Sequence, residues 1–473
     1  MRRLTPLLLI VFAILTFSNM PEAHAQSDEV DCPILVETAL NAADELCRAT
    51  SRNEACYGNL VINAQTRVPA TFETSGDIVQ VSNIESLELA TMNVARNEWG
   101  VALLRVQANL PDTLPGSNVT FLLFSDVVIE DAGYEGDATP PPVLNAVTQE
   151  NSNVRSGPGT EFFVIDSLTN NEAIIVNGRN EAGDWLRIEL PSGVNTGWIS
   201  ASLLDVDGDI NELELSGAGS ATTRTQFGPM QAFYFRSGIG DAPCNEAPDS
   251  GMIIQTPEGA FTVDLQINGV NVELGSTMYL TAGVDENGEV QFNIHMVEGN
   301  ARIESEGVAQ FLRAGQMLQV PLDEDYNPTG QPGIPMPYDG RNVSLPIRLL
   351  ERATIVIPPA FEPNPNAPVI ERISRSRLST DSTREDIFFT DVNGDATTLN
   401  ISLIDISNPN INFQFEGSSI NIAPEDQQAG ATLSRETLCT EGTDGIEALF
   451  RISISDSEGL ESNIVEYRTT CGG

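Results

Sequence analysis

Hydrophobic and polar residues alternate over short stretches through most of the chain. From about residue 59 onward, runs rich in Val, Ile, Leu and Phe are separated by Gly, Pro and Asn. A period of two between turn-forming residues is typical of β-strands. The pattern therefore predicts a mainly β protein, and a chain of 473 residues is long enough to form several domains.

A different period occurs between Pro33 and Cys47. Apolar residues there are three or four positions apart and form one stripe: Leu35, Ala39, Ala43 and Leu46. This spacing predicts a helix, whose ends would lie about 22 Å apart. Because the Cα atoms of a disulfide lie only about 6 Å apart, we expect that Cys32 and Cys47 do not pair with each other.

The strongest hairpin signal lies in the second half of the chain. Residues 261–267 alternate between apolar and polar, Asn268-Gly269 follows, and residues 270–274 resume the alternation. Asn-Gly between alternating runs predicts a tight hairpin turn, and Asn287-Gly288 predicts a second one. We expect each of these strands to place one face on a core and the other in water.

The first residues have the layout of a secretory signal peptide. Arg2 and Arg3 precede an apolar run from Leu7 to Leu15, and Ala23-His24-Ala25 supplies a cleavage site. The run is too short to span a bilayer comfortably. No cysteine that could accept a lipid follows the cleavage site, and no second long apolar stretch occurs. We expect residues 1–25 to be removed and the protein to be secreted or periplasmic, without a transmembrane segment.

The chain is strongly acidic, with a formal net charge of −43, and its positively charged side chains are all arginine. Such a charge excludes nucleic acid as a partner, because the phosphate backbone would be repelled. The acidic surface keeps an exported protein soluble and could also attract divalent cations.

The cysteines indicate disulfide bonds. The six cysteines are Cys32, Cys47, Cys56, Cys244, Cys439 and Cys471. An even number in an exported chain favours disulfides, and the Cys-x-x-Cys spacing of zinc sites is absent from the sequence. If Cys439 pairs with its neighbour Cys471, then Cys244 must pair with one of the three N-terminal cysteines. That bond would tie the N-terminus to the middle of the chain.

Residues 147–204 contain five short predicted strands with tight turns. Their glycine-rich corner at residues 153–159 lacks the following helix and the Lys-Ser/Thr pair of a phosphate-binding loop. The motifs Asn153–Pro158, Asp184–Ile188 and Gly197–Ile199 instead resemble those of the bacterial SH3 domain (SH3b). That family has Asn-Val-Arg-x-Gly-Pro, then an Asp-x-Trp strand, then a terminal Gly-Trp-Ile or Gly-Trp-Val.

The resemblance implies a small barrel that binds peptides or cell-wall components without catalysis. The candidate ligand-binding residues are Arg155, Phe162, Trp185 and Trp198. The two tryptophans also have a structural interpretation, in which each fills the barrel core. The chain departs from the family where a glycine usually precedes the third strand, since it has Asn170-Asn171-Glu172 there. That departure concerns the shape of the loop and not the fold.

Further along, the turn motifs Thr256–Gly259, Gly299–Ile303 and Ala314–Gln316 resemble the β-rich FecR-type domain, here within residues 209–322. Signalling members of that family carry an inner-membrane helix and a sigma-factor-binding segment before this domain. Both are missing from this chain, so the signalling role is not expected here.

From residue 365 onward, six or seven strands are predicted in about one hundred residues, which is the size of an immunoglobulin-like sandwich. The turns at residues 391–395 and 456–460 resemble those of bacterial cadherin-like and Ig-like repeats in surface proteins.

Two acidic turns could bind calcium, which takes several oxygen ligands. The candidate ligands are Asp205, Asp207 and Asp209 in one turn, and Asp391, Asn393 and Asp395 in the other. Neither turn completes an EF-hand, because Ile210 and Ala396 replace the loop glycine. Asp and Asn also close turns without a metal, so a metal-free turn is the second interpretation. No other cofactor is expected.

Candidates for catalysis are few. The mature chain has a single histidine, His295, between two apolar residues of an alternating strand. A serine or cysteine hydrolase would need it as the base, but its position predicts a solvent-facing strand residue. Paired carboxylates could act in glycoside cleavage, although no pair stands out among so many acidic residues.

The predicted order of units is a signal peptide (1–25), a cysteine-containing helical segment (26–58), a β-sandwich-like region (59–135), a Pro-rich linker (136–146), an SH3b barrel (147–204), a FecR-like β domain (209–322), a second Pro-rich linker (323–364) and an Ig-like sandwich (365–473). The preferred function is that of a secreted, non-enzymatic envelope protein. It would bind cell-wall or extracellular polymers or peptides through its SH3b and Ig-like domains. Two alternatives stay open: a secreted hydrolase with a carboxylate-based site in residues 59–135, and an adhesive or structural surface protein.

Overall fold

The computed structural model describes residues 31–106, 118–132, 144–155, 158–160, 164–180, 182–189, 196–213, 227–257, 262–285, 287–338, 345–351, 355–379, 382–407, 419–423, 427, 431–438 and 446–470. Within these residues the chain forms one α-helix and 29 strands, so the predicted mainly β fold is confirmed. The candidate signal peptide lies outside the described residues. Among those that are described, no helix is long and apolar enough to cross a membrane.

The elements fall into four stretches. The first contains α1 (Cys32–Leu46), β1 (Glu54–Asn59), β2 (Ile62–Thr66), β3 (Ile78–Gln80), β4 (Ile84–Leu89), β5 (Val101–Val106), β6 (Val119–Phe124) and β7 (Val127–Asp131). The second contains β8 (Leu144–Thr148), β9 (Ser152–Arg155), β10 (Val164–Leu168), β11 (Ala173–Arg179), β12 (Trp185–Glu189), β13 (Thr196–Ser200) and β14 (Leu204–Asp207). The third contains β15 (Ala232–Ser237), β16 (Gly251–Gln255), β17 (Val263–Ile267), β18 (Val270–Val284), β19 (Val290–Ser305), β20 (Val308–Arg313), β21 (Gln316–Pro321) and β22 (Met336–Pro337). The last contains β23 (Val369–Ser379), β24 (Ser382–Thr390), β25 (Ala396–Ile406), β26 (Ser419–Asn421), β27 (Ala431–Leu438), β28 (Glu447–Asp456) and β29 (Val465–Thr470).

The first and third stretches form one unit, which we call the body. Strand β7 pairs with β15, where Asp131 lies opposite Phe233, and β6 pairs with β16, where Phe124 lies opposite Gly251. Strands from residues 59–135 and 209–322, which the sequence pattern separates, therefore share one sheet. The second stretch is a small barrel inserted between β7 and β15.

The body has two arms of paired strands that both join the long strand β18. One arm runs β16, β6, β5, β1 and β3, and the other runs β17, β15, β7, β4 and β2. A single apolar core draws residues from both arms. Within it the rings of Phe121 in β6 and Phe233 in β15 lie 5.7 Å apart. The body is therefore a half-open β structure filled by side chains from its two arms.

Both hairpins predicted from Asn-Gly are confirmed. Strand β17 pairs with β18 across Asn268-Gly269, and β18 pairs with β19 across the turn that contains Gly288. Asn268 and Gly269 have φ angles of 53° and 76°, the left-handed conformation that this type of tight turn requires.

Helix α1 covers the outer face of the first arm. Asp31 caps it by accepting the N–H of Cys32, and Pro33 stands in its first turn, where a missing N–H costs nothing. As the spacing predicts, one stripe of the helix is buried, although Leu46 at its end is 40% exposed. The buried stripe joins residues of β5, β6, β16, β18 and β19 in a second apolar core.

This second core makes the middle of β18 and β19 buried on both faces, so the expectation of one face in water is wrong there. His295 shows the consequence. It is only 7% exposed, and its ring lies 5.3 Å from the ring of Tyr279. The predicted solvent-facing position of His295 is therefore wrong, because the face that alternation assigns to water packs in the second core, which holds the neighbouring Tyr279 and Val297.

Two disulfides lie in the body. Cys32 pairs with Cys244, and Cys47 pairs with Cys56. Cys32 and Cys47 thus do not pair with each other, and Cys244 bonds to one of the three partners that parity allows. The first bond ties the start of α1 to the chain between β15 and β16. Cys439 and Cys471 lie outside the described residues.

The C-terminal stretch forms two layers around a third core. One layer contains β23, β24 and β27, and the other contains β26, β25, β28 and β29. Strand β29 also pairs with β20 of the body, where Val308 lies opposite Tyr467. Near this junction Glu466 of β29 forms ion pairs with Arg302 and Arg451, both at 2.7 Å.

Candidate binding face on the small barrel

The small barrel has its own sheet and its own core. Its strands follow the order β10, β9, β13, β12, β11, β8 and β14. Its core side chains come only from residues 146–213: Ala146, Val154, Leu168, Ile174, Val176, Leu186, Ile188, Ile199, Leu204 and Leu213. It is therefore a folding unit distinct from the body, although the chain enters and leaves it through the body.

Strand β12 carries the first part of a candidate binding face. Successive side chains of a strand point to opposite faces. Leu186 and Ile188 point into the core, so Trp185 and Arg187 point to the outer face. Trp185 is partly exposed there.

Trp198 on β13 lies at the centre of the same face. Its neighbour Ile199 is a core residue, so Trp198 points outward. It is directly opposite Arg187 on one side and opposite Arg155 of β9 on the other. Side chains of directly opposed residues have Cβ atoms about 5 Å apart. The strands thus place an Arg–Trp–Arg row across the barrel's outer face.

Neighbouring polar groups hold the two arginines in place. The Arg187 Nε donates to the side-chain oxygen of Asn177 at 2.8 Å, and a second guanidinium nitrogen donates to the Asn177 carbonyl at 3.3 Å. Arg155 donates to the carbonyl of Thr160 at 3.0 Å. These hydrogen bonds fix the direction in which each planar guanidinium points.

The interpretation that both tryptophans fill the barrel core is not confirmed, since neither belongs to the apolar cluster inside the barrel. Trp198 is nevertheless only 5% exposed, so Trp185 is the more accessible of the two rings. Phe162 lies outside the described residues. Sequence reasoning did not single out Arg187, although its spacing of two from Trp185 would have placed it on the same face.

The Asn170-Asn171-Glu172 departure keeps the turn geometry of a glycine. Asn171 has a φ of 64°, the left-handed conformation that asparagine tolerates best after glycine. Its N–H donates to the Thr148 carbonyl at 2.8 Å. The loop therefore has the shape that a glycine would allow.

The acidic turn next to the barrel is exposed. Asp205, Asp207 and Asp209 all lie at the surface. Asp209 accepts hydrogen bonds from the backbone N–H and the side-chain amide of Asn211 at 3.0 and 2.8 Å. These bonds stabilise the carboxylate and lower the pKa of Asp209. The turn is thus closed by its own hydrogen bonds.

The other acidic turn is partly buried. Asp391 has no exposed surface, whereas Asn393 is exposed and Asp395 is half-buried. In the part of the chain that the structure describes, no group of three or more His, Cys, Asp or Glu side chains could hold a metal ion.

Within residues 59–135, the carboxyl of Asp126 has a raised pKa. Partial burial raises the pKa of Asp126 most, followed by the nearby charges of Asp241 and Glu88. Asp126 lies at the turn between β6 and β7, and its backbone N–H donates to the Ser250 hydroxyl at 3.0 Å. A cavity of about 200 Å³ lies elsewhere, in the C-terminal unit, lined by residues that include Leu399, Ile422, Leu433 and Arg435.

Residues 150–205 match the family model of the bacterial SH3 domain. The match covers strands β9 to β13 of the inserted barrel, including all three strands of the Arg–Trp–Arg row, and leaves the body and the C-terminal unit unassigned. No curated protein matches the chain. The SH3 domain and the disulfides together fit an extracytoplasmic protein.

Proposed function

We propose that this protein is an exported, non-enzymatic envelope protein that binds cell-wall polymers or peptides through the outer face of its SH3 domain. The observation that carries the proposal is the Arg155–Trp198–Arg187 row, flanked by Trp185, within a barrel that matches the bacterial SH3 family. Bacterial SH3 domains as a class suggest a cell-wall ligand.

The chemistry of the row suits such a ligand. Arginine binds carboxylate and phosphate groups in a planar, two-point manner, and these groups occur in cell-wall peptides and polymers. Tryptophan adds a large apolar surface with little loss of conformational freedom. On a chain with a net charge of −43, two arginines on one small face are a local exception that favours an anionic ligand.

The way in which the domain is inserted also supports a presenting role for the body. The SH3 domain is connected to β7 and to β15, and these strands are neighbours with Asp131 opposite Phe233. Both connections therefore start from one place on the body. The SH3 domain is therefore attached to the body through two neighbouring strands, and its own sheet stays separate from the sheet of the body.

The experiment is co-sedimentation of the purified, disulfide-bonded protein with isolated peptidoglycan at low and at moderate salt. We expect the wild-type protein to sediment with the polymer. Trp185→Ala should weaken binding about tenfold, since aromatic anchors often contribute more than 1 kcal/mol. Arg155→Ala should weaken binding most at low salt, where charge attraction is least screened.

The matched control is Tyr234→Ala. Tyr234 is an aromatic residue on the body that is 41% exposed, so its removal tests whether any exposed ring contributes. The control should sediment like the wild type. Absence of wild-type binding, or equal binding by Trp185→Ala and wild type, would contradict the proposal.

The same protein samples distinguish this function from two alternative functions. A hydrolase would release soluble fragments from peptidoglycan, and neutralising Asp126, the carboxyl with the raised pKa in residues 59–135, would stop it. An adhesive role is favoured by one observation, the β20–β29 pairing that extends the body sheet into the C-terminal unit. It predicts surface binding that survives Trp185→Ala.

A further inference from the structure

Three polar side chains form a row across neighbouring strands of the body. Gln255 ends β16, Thr277 lies in β18 and Glu298 lies in β19. The strand register places Gln255 directly opposite Thr277, and Thr277 directly opposite Glu298. Ile253 and Tyr279, two positions away on β16 and β18, belong to the second core. Since residues two apart on a strand share a face, the amide and the hydroxyl lie on the face of that core.

Hydrogen bonds connect the three groups. The Gln255 Nε2 donates to the Thr277 Oγ1 at 3.3 Å. The Thr277 hydroxyl donates in turn to the Glu298 Oε2 at 3.5 Å, and the Ser276 hydroxyl donates to the same oxygen at 2.6 Å. Ser276 therefore holds the carboxylate beside the Thr277 hydroxyl.

The amide and the hydroxyl are shielded from water. Gln255 is 1% exposed and Thr277 is 0% exposed, whereas Glu298 is half-buried. Exclusion of water strengthens the electrostatic interactions within a site and prevents the hydrolysis of reactive groups. An ester formed at this place is therefore protected.

Each group has the chemistry for one part of an acyl transfer. A threonine hydroxyl becomes a nucleophile when an adjacent base takes its proton, and the Glu298 carboxylate contacts that hydroxyl. The side-chain amide of Gln255 is the electrophile, and its Cδ is bonded directly to the nitrogen that contacts Oγ1. Because strand pairing already holds the groups together, the reaction does not have to overcome the entropy of bringing them into contact.

We propose that Thr277 and Gln255 form an ester cross-link within the folded protein, with Glu298 as the catalytic base and acid. Glu298 takes the hydroxyl proton, and the Thr277 Oγ1 forms a bond to the Gln255 Cδ. The bond between Cδ and Nε2 then breaks, and Glu298 returns the proton to the departing nitrogen. One hydroxyl and one amide thus give one ester and one ammonia, and neither an oxidant nor a second substrate is needed.

A similar contact elsewhere in the body shows why the carboxylate matters. The Asn293 Nδ2 donates to the Thr281 Oγ1 at 3.0 Å, and these two buried residues lie opposite each other on β19 and β18. The neighbouring group there is the Gln319 amide, which donates to the Asn293 Oδ1 at 2.9 Å. Among the hydrogen bonds of the described residues, no carboxylate accepts the Thr281 hydroxyl. We therefore expect no ester between Thr281 and Asn293.

The ester joins the first arm of the body to β18 by a covalent bond. This arm meets β18 through β16, which otherwise pairs with it by backbone hydrogen bonds. The two disulfides of the body open under reducing conditions, whereas an ester does not. The cross-link therefore keeps β16 and β18 together independently of the redox conditions outside the cell.

The test is peptide mapping of the full mature protein, which is reduced and digested only after purification. A protease that cleaves after glutamate cuts at Glu258 and Glu273, between the two linked residues. We expect one branched product that contains the peptides around Gln255 and Thr277. Its mass should be about 17 Da below the sum of the two peptides, because the acyl transfer releases ammonia.

The branched product is the decisive readout, and the mass of the intact protein is not sufficient. Ring closure at an N-terminal glutamine or at Asn268-Gly269 removes the same mass without joining two peptides. Fragmentation of the branched product identifies the two linked residues.

Three variants test the assigned roles. Thr277→Val removes the hydroxyl with little change in shape and should give only separate peptides, whereas Thr277→Ser keeps a hydroxyl and should retain the branched product. Glu298→Gln should slow cross-linking in newly synthesised protein at least about a hundredfold, which is the usual contribution of general acid–base catalysis.

The matched control is Thr120→Val. Thr120 lies opposite Gln255 on the other side, in β6, and its buried hydroxyl has no hydrogen-bond partner among the described residues. Because no base contacts this hydroxyl, its removal should leave the branched product unchanged.

Separate wild-type peptides of unmodified mass would overturn the proposal, and this readout does not depend on whether any variant folds. A branch at Thr120 or Thr281 in place of Thr277 would also overturn it. The role of Glu298 is refuted if Glu298→Gln forms the cross-link as fast as the wild type.

Discussion

The body and the SH3 domain are both β structures, but they are assembled in opposite ways. The body takes its strands from two stretches of chain that the SH3 domain separates, and one core unites them. The SH3 domain takes all its strands and its whole core from one continuous stretch. The difference indicates that the candidate binding unit can be weakened without unfolding its carrier.

The body, in contrast, cannot unfold without affecting how the SH3 domain is held. Strands β7 and β15 must pair for both connections to the SH3 domain to leave the body at one place. A body that unfolds would therefore no longer present the domain at two fixed points. Four changes, from the largest expected effect to the smallest, test this asymmetry.

The largest effect is expected in the body core. Phe292 is fully buried and its ring lies 6.4 Å from that of Phe235, so Phe292→Ala should lower the free energy of unfolding of the body by about 3–5 kcal/mol. Denaturant unfolding measures the loss. Val284→Ala is the control, since Val284 is 57% exposed. A loss of similar size in both variants would show that the shared core does not hold the body together.

A smaller and more local effect is expected from Ile188→Ala in the SH3 core. Ile188 is fully buried, and its truncation should cost about 2–4 kcal/mol. The loss should appear in amide exchange of the SH3 strands and in weaker peptidoglycan binding, while the body unfolds at the wild-type denaturant concentration. If the body of this variant also unfolds at a lower denaturant concentration than in the wild type, the two units fold as one and the comparison between them fails.

The two disulfides should also contribute unequally to the free energy of unfolding. Replacing Cys32 and Cys244 with Ala removes a bond between residues 212 positions apart, and replacing Cys47 and Cys56 removes one between residues only 9 apart. In the chain-entropy account the long-range bond contributes about 5 kcal/mol and the short-range bond about 2–3 kcal/mol, so the two double variants should differ by about 3 kcal/mol. Thermal unfolding of the two double variants compares them. Equal losses would indicate that local packing, and not loop closure, sets the contribution of these bonds.

Local features were predictable from the sequence, and long-range ones were not. The Asn268-Gly269 hairpin, helix α1 and the SH3 motifs all depend on residues close together in the chain. The pairing of β7 with β15 leaves no local signal, because the partners are separated by the inserted domain. His295 was misplaced for a related reason: the second core, which covers one face of its strand, draws on residues that are far away in the chain.

The candidate site was predictable in the same uneven way. The motif located Arg155, Trp185 and Trp198, but only the strand register shows that Arg155 and Arg187 flank Trp198. In the body, Gln255, Thr277 and Glu298 give no signal in the sequence and meet only through the pairing of β18 with β16 and β19. Spacing along the chain identifies residues on one strand, and the register between strands decides which of them meet.

The smallest expected effect concerns Asn171, one of two asparagines in left-handed turns. Asn171 in the SH3 domain has a φ of 64°, and Asn268 in the body has a φ of 53°. Asn171→Ala should cost about 1 kcal/mol, because alanine lacks the short polar side chain whose local hydrogen bonds let asparagine adopt this conformation, and Asn171→Gly should be nearly neutral. Amide exchange of the SH3 strands measures both variants.

Asn268 provides the counterpart in the body. Its side chain accepts the N–H of Phe235 at 2.7 Å and donates to the Phe235 carbonyl at 2.9 Å, both buried. Asn268→Gly therefore should not be neutral, since it keeps the backbone conformation but leaves two buried backbone groups unpaired, at about 1–3 kcal/mol each. The comparison would be reversed if Asn268→Gly were neutral and Asn171→Gly were costly. In that case the turn in the SH3 domain would depend on its side chain, and the turn in the body would depend on its backbone conformation alone.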